Sequence, residues 1–126
     1  GVDVDETLIR RENFKEDGGR SGAAFLAGLE EPPDALFVAN NLMTVGALSA
    51  LVDRDVKIPQ DMALVGFDHL PWADLTRPQL TTVAQPTYEM GREAGRALAG
   101  RIGGDDSIAR TIVLSPTIEV RESSRR

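Results

Sequence analysis

Apolar residues in this chain fall into short unbroken runs separated by polar turns, and between the runs they recur at three- to four-residue spacing. The clearest run is Ala35-Leu36-Phe37-Val38-Ala39, bounded by Pro33-Asp34 and Asn40-Asn41. A run of this length with no polar alternation predicts a strand covered on both faces, as in a parallel sheet. Met62 to Phe67, ending at Asp68, predicts a second such strand, and Leu80 to Val83 a third. Shorter strands are predicted over Thr7–Arg11, Thr111–Leu114 and Thr117–Arg121, the last two flanking Ser115-Pro116. Helical spacing covers Asp17 to Leu29, where Ala23, Phe25/Leu26 and Leu29 share a face and Glu31-Pro32-Pro33 ends the helix. Gly18, Gly19 and Gly22 weaken its first turns and suit close helix packing or a backbone held near a ligand. A second helix is predicted from Leu42 to Asp53, with one of the two preceding asparagines as its N-cap. Pro86 opens the third, with Glu89 in the first turn and Gly103-Gly104 at the end. Its apolar stripe is Met90, Ala94, Ala97/Leu98 and Ile102. Strands alternating with helices predict an α/β fold, three-layered and doubly wound around a mostly parallel sheet.

Composition narrows the chemistry. The 126 residues suit one domain, and the 20 acidic against 14 basic side chains leave a net charge of −6. That balance argues against a nucleic-acid-binding surface on these residues. With no cysteine, disulfide scaffolds, zinc–thiolate sites and thiol catalysis are excluded, and a lone histidine, His69, makes a multi-histidine metal site improbable. No cofactor is expected. The longest uncharged run, Ala35 to Val52, carries Asn40, Asn41, Thr44, Gly46 and Ser49, so a buried strand followed by a small-residue helix explains it better than a membrane span. No basic-then-apolar start resembles a signal peptide.

Two strings imitate catalytic motifs. Asp3-Val4-Asp5-Glu6-Thr7 fits the Asp-x-Asp-x-Thr pattern of haloacid-dehalogenase-like phosphotransferases, in which the first Asp would be nucleophile and the second general acid. That chemistry needs both carboxylates at the end of a buried strand, and only Gly1-Val2 precede Asp3, so a solvated terminal loop is the preferred reading. Gly19-Arg20-Ser21-Gly22-Ala23 misses the Gly-x-Ser-x-Gly elbow because Ala23 replaces the last glycine. No catalytic residue is assigned. Better placed are the polar and aromatic residues at strand ends, because open α/β sheets bind ligands beyond the carboxyl ends of their strands. Phe14, Asn40 and Asp68 stand at or just past such ends. A ring stacks on a sugar or base, an amide donates and accepts, and a carboxylate takes two hydroxyls. Taken singly, each has a plainer reading: core for Phe14, helix cap for Asn40, turn residue for Asp68.

The run Pro33-Asp34-Ala35-Leu36-Phe37-Val38-Ala39-Asn40-Asn41-Leu42-Met43-Thr44-Val45-Gly46-Ala47-Leu48 resembles the LacI/GalR family of bacterial transcriptional regulators. So do Val56-Lys57-Ile58-Pro59-Gln60-Asp61 with the strand after it, Pro78-Gln79-Leu80-Thr81-Thr82-Val83-Ala84-Gln85-Pro86, and the ending Val120-Arg121-Glu122-Ser123. The resemblance implies a periplasmic-binding-protein-like effector core, here most of the C-terminal subdomain over residues 1–84. It implies a helix and strand over 85–114 that cross to the N-terminal subdomain, and a returning strand and tail over 115–126. The headpiece and N-terminal subdomain would then lie outside these residues. By position, Phe14 would stack on the effector, Asn40 and Asp68 would take its hydroxyls, and Gln85, near the hinge, is a further candidate. Val45, Leu48 and Trp72 would contribute to a homodimer interface. Asn41 stands where Asp is usual and His69 where an acid or amide is common. The implied function is a non-enzymatic, cytoplasmic regulator core. It would bind a small metabolite, a sugar or nucleoside-type compound, with operator DNA held by the headpiece and no membrane partner. A periplasmic sugar-binding transport protein of the same fold is the alternative.

Overall fold

The computed structural model describes residues 3–68 and 70–125. Helix α1 (Glu16–Ala27) leads to strand β1 (Ala35–Val38), helix α2 (Asn41–Asp53), strand β2 (Ala63–Phe67), strand β3 (Thr81–Ala84), helix α3 (Thr87–Ile102) and strand β4 (Thr117–Glu119). The strands form one sheet in the order β1-β2-β3-β4. The first three run parallel, with Val38 opposite Gly66 and Phe67 opposite Val83, and β4 closes the edge antiparallel to β3. This is the α/β class and mostly parallel sheet that the apolar runs predict.

The core lies between the sheet and α2. Leu51, Leu64, Leu80 and Met62 are fully buried there with Ala47 and Ala50. At about 2 kcal/mol per buried large aliphatic side chain, these residues carry much of the hydrophobic stabilisation. Thr44 on α2 lies directly over Gly66, where a Cβ would come within 2.9 Å of its methyl. Helices α1 and α2 cross at backbone contact. A Cβ on Gly46 would sit 1.8 Å from the Glu16 carbonyl oxygen, and one on Gly19 would sit 2.1 Å from that of Met43. Of the glycines in α1, Gly19 therefore serves close helix packing, whereas Gly18 and Gly22 face Asn13 and the side chains of Arg10 and Glu12. Arg20 fastens the crossing from outside, donating to Ser49 Oγ at 2.6 Å and pairing with Asp53.

Three expectations are corrected. Thr7–Arg11 is not a strand: Glu6–Leu8 form one 3-10 turn, because Asp5 Oδ1 accepts from the Thr7 amide at 2.9 Å and from its hydroxyl at 2.6 Å. Thr111–Leu114 forms no strand either. Ile112 to Leu114 run past Gln85, Pro86 and Met90 at the start of α3, which offer no ladder to pair with. Pro86 is the residue before α3, not its first, and the predicted stripe of that helix is open: Met90, Leu98 and Ile102 are all exposed, and no residue of α3 is buried. After β4, Ser123 returns to the sheet in a 3-10 turn, Glu122–Ser124, and is buried against β2 and β3.

Candidate functional site

Three adjacent parallel strands end on one side of the sheet, and the residues that follow them build the site. Asn40 comes two residues after β1, Asp68 directly after β2 and Gln85 directly after β3. Asn40 has extended backbone and caps α2: its Oδ1 accepts from the Met43 amide at 2.7 Å, while its carbonyl accepts the Thr44 amide and hydroxyl at 3.0 and 2.6 Å. The plain reading of Asn40 as a cap is therefore correct. Its other atom does more, because Nδ2 donates to the Phe14 carbonyl at 3.0 Å. One N–H of the amide remains available to a ligand.

Phe14 is not core. The residue is 62 % exposed and its φ of 59° lies in the left-handed region. For a non-glycine residue that conformation costs of order 1 kcal/mol and persists only where neighbours impose it. Here Asn40 holds the carbonyl, and Asn13 holds the turn by accepting the Lys15 amide at 3.0 Å and donating to both Asp17 oxygens at 3.2 Å. Asp68 is strained in the same sense, with φ 84°. Its amide donates to the Val83 carbonyl at 3.0 Å, and its Oδ1 accepts from Gln85 Nε2, leaving Oδ2 without a described partner. Of the three described non-glycine residues with positive φ, Asp68 sits at a strand end, Phe14 lies in the turn before α1, tied to Asn40 and preceded by no strand, and the third is Asp55. Strained backbone concentrates at functional sites, and here two such residues lie near the carboxyl ends of the strands, Phe14 through its carbonyl bond to Asn40 and Asp68 directly after β2. On β1 and β2, Phe37 and Phe67 meet edge to face, their centroids 6.3 Å apart.

Asn41 spends its side chain locally, accepting the Leu42 amide at 2.7 Å. His69 lies outside the described residues. Asp5 is used as a cap and is exposed. The Thr7 hydroxyl, more than the Thr7 amide, holds its carboxyl below the usual carboxylate range, opposite to what a general acid requires. Among the described residues no group of three or more His, Cys, Asp or Glu side chains could hold a metal ion, and no helix is long and apolar enough to cross a membrane. Val45, Leu48 and Trp72 lie together in a groove of about 390 Å³ completed by Ser49, Val52, Asp53 and Thr76. The link from Asn40 to Phe14 was not visible in the sequence; a cap residue downstream of a short polar turn is the only signal that could have suggested it.

A family signature closes the question of kinship. Periplasmic binding protein-like domains match residues 1–124. The chain belongs to this family. Among similar proteins, the HTH-type transcriptional repressor CytR of Escherichia coli strain K12 is 34% identical over 125 residues, 99% of this chain and 37% of its own. The HTH-type transcriptional regulator CelR of Thermobifida fusca is 37% identical over 123 residues, 98% of this chain and 36% of its own. The chain thus spans little more than a third of these relatives. Among solved structures, a CelR–cellobiose complex superposes with a TM-score of 0.88 at 36% identity, covering 98% of this chain and 38% of that one. CcpA of Lactococcus lactis superposes with a TM-score of 0.86 at 31% identity, covering 98% and 45%. The periplasmic-binding-protein-like relatives named here are LacI-type regulators, the resemblance the sequence carries.

Proposed function

We propose that this periplasmic-binding-protein-like chain is the C-terminal part of the effector-binding core of a LacI-type transcriptional regulator, and that its effector is a sugar or a sugar-bearing metabolite. The observation that carries the reading is the alignment of Phe14, Asn40, Asp68 and Gln85 along one sheet edge, with an exposed ring beside an amide and a carboxylate. That set recognises polyols: the ring covers the apolar face of a pyranose or furanose, and the free Asp68 oxygen and Asn40 N–H take hydroxyls. No step of bond making is required. The regulators among its relatives favour gene control over transport.

The effector bridges this subdomain and a second one outside these residues, and favours one closure state over the other. Residues 85–114 cross to that second subdomain, which accounts for the open stripe of α3. The groove of Val45, Leu48 and Trp72 contributes to a homodimer interface. Operator DNA is held by a headpiece, consistent with the acidic balance of this chain. The protein works in the cytoplasm.

The test uses the intact protein. A thermal-shift screen of sugars and nucleosides is expected to give at least one compound that raises the midpoint in proportion to the logarithm of its concentration. That compound is expected to change operator affinity. A screen in which nothing binds would overturn the reading. With the binder in hand, Asp68→Ala and Phe14→Ala are each expected to weaken affinity by about 1–3 kcal/mol in titration calorimetry. Asn40→Ala is expected to do both kinds of damage. Loss of the cap costs about 1 kcal/mol of stability, and release of the Phe14 carbonyl weakens binding as well. Chemical denaturation and calorimetry on the same variant separate the two effects.

A further inference from the structure

Gln85 has its side chain engaged by the protein itself. Its side-chain amide donates to Asp68 Oδ1, so one of its N–H groups is engaged by a protein carboxylate. Its carbonyl accepts the Thr87 amide at 2.8 Å, closing the three-residue turn from which α3 departs. Asp68 needs such a partner. Its backbone is left-handed, and the only other hydrogen bond described for it is the one its amide makes to Val83. A carboxylate on strained backbone with one oxygen tethered presents the other in a fixed direction, whereas an untethered one rotates about χ1 and χ2 and loses that freedom on binding.

We propose that Gln85 is a positioning residue: it acts on the effector through Asp68, and it ties the orientation of that carboxylate to the turn that launches α3. The proposal rests on the sugar-binding reading and assigns one residue of that site a specific role. It accounts for the half-burial of Gln85, with its amide turned toward the end of β2. It also gives occupancy of Asp68 a covalent route to the crossing helix through the single residue between β3 and Pro86.

Two measurements test it on the intact protein. The first needs no ligand. By NMR, one of the two Gln85 side-chain amide protons, the one given to Asp68, is expected to be protected from solvent exchange in the wild type and to collapse toward free-amide behaviour in Asp68→Ala. Free-amide behaviour in the wild type overturns the proposal. The second is a double-mutant cycle on affinity, with cellobiose, lactose and ribose as probes, the sugars held by three of the similar structures. Gln85→Met keeps the shape and removes the donor, and is expected to weaken binding about tenfold. In an Asp68→Ala background the same change is expected to alter affinity less than about twofold, because its effect runs through the missing carboxylate. Gln85→Glu, which sets one carboxylate against another, is expected to be weaker than Gln85→Met. Additive losses in the cycle would mean that Gln85 contacts the sugar directly, and would overturn the positioning role. If Asp68→Ala itself leaves affinity intact, the sugar-binding reading fails instead. A panel without a binder leaves the amide signal to decide. Thermal midpoints recorded alongside separate affinity loss from unfolding.

Discussion

Gly46→Ala is expected to lower the stability of the intact protein by about 2–4 kcal/mol, at the upper end of what overpacking a filled core costs. A methyl at Gly46 would lie 1.8 Å from the Glu16 carbonyl oxygen and 2.7 Å from the Arg20 amide, so it meets backbone and not a side chain that can swing aside. Relief requires α1 to lift off α2. Lifting α1 has a functional consequence, because Asp17 in its first turn accepts the Asn13 amide that shapes the turn bearing Phe14. The expected result is therefore a lower denaturation midpoint together with weaker sugar binding. Urea titration followed by fluorescence of the lone Trp72, which packs against the core, reads the first effect. Stability within about 0.5 kcal/mol of wild type would show that the helices do not need this close approach. The partner position gives the control: Gly19→Ala meets the Met43 backbone from the other side of the same crossing and is expected to behave alike.

This crossing also marks how far the sequence could be read. The alternation of apolar runs with helical spacing located all three helices and the parallel strands, since an unbroken apolar run between polar turns marks such a strand without knowledge of partners. Cover on both faces did not follow, because in β1 only Val38 is buried and Phe37 is exposed. Gly19 could be read as a place of close packing. Gly46 could not, because nothing in its neighbourhood says which helix passes over it. The failures share one cause, which is that a pattern was read without the neighbour that decides it. Thr7–Arg11 has strand-like residues, but Asp5 and Thr7 close a local turn on each other, and such side-chain bonds compete directly with ladder formation. The same two residues drew attention as half of a phosphotransferase motif; their spacing serves the turn. Thr111–Leu114 has β-branched residues and no adjoining strand edge.

Asn40, Asp68 and Gln85 were legible as residues at strand ends, and Phe14 as a residue type, although no strand precedes it. Their connections were not. The left-handed backbone at Phe14 and Asp68, and the use of one Asn40 amide for both a cap and a carbonyl tether, depend on distances of a few ångströms between segments 17 to 26 residues apart.

Ser123→Ala is expected to cost about 2–4 kcal/mol, a large effect for the removal of one oxygen near a chain end. That oxygen is buried and bridges two strands: it donates to the Leu64 carbonyl at 2.6 Å and accepts the Thr81 amide at 2.8 Å. Alanine leaves a donor and an acceptor facing each other without a partner, and each buried orphan costs about 1–3 kcal/mol. The neighbourhood has little room for water to repair this, since Thr81, Leu64 and Leu80 are themselves buried. Around Ser123 the tail is fastened at several more points. The Ser123 amide donates to the Gln79 carbonyl at 2.9 Å, the Gln79 amide to Glu122 Oε2 at 2.8 Å, and Arg121 pairs with Asp74 and Glu119 at 2.6 Å each. These bonds lie at the starts of β2 and β3, opposite the ends that carry Asp68 and Gln85. Loosening them is therefore expected to lower the unfolding midpoint while leaving sugar affinity within about twofold of wild type, as for sites that share no partners. Calorimetric titration well below the new midpoint checks the second half. Affinity that falls with stability would mean that the two ends of the sheet move as one unit, and that the returning tail contributes to the binding geometry as well as to the fold.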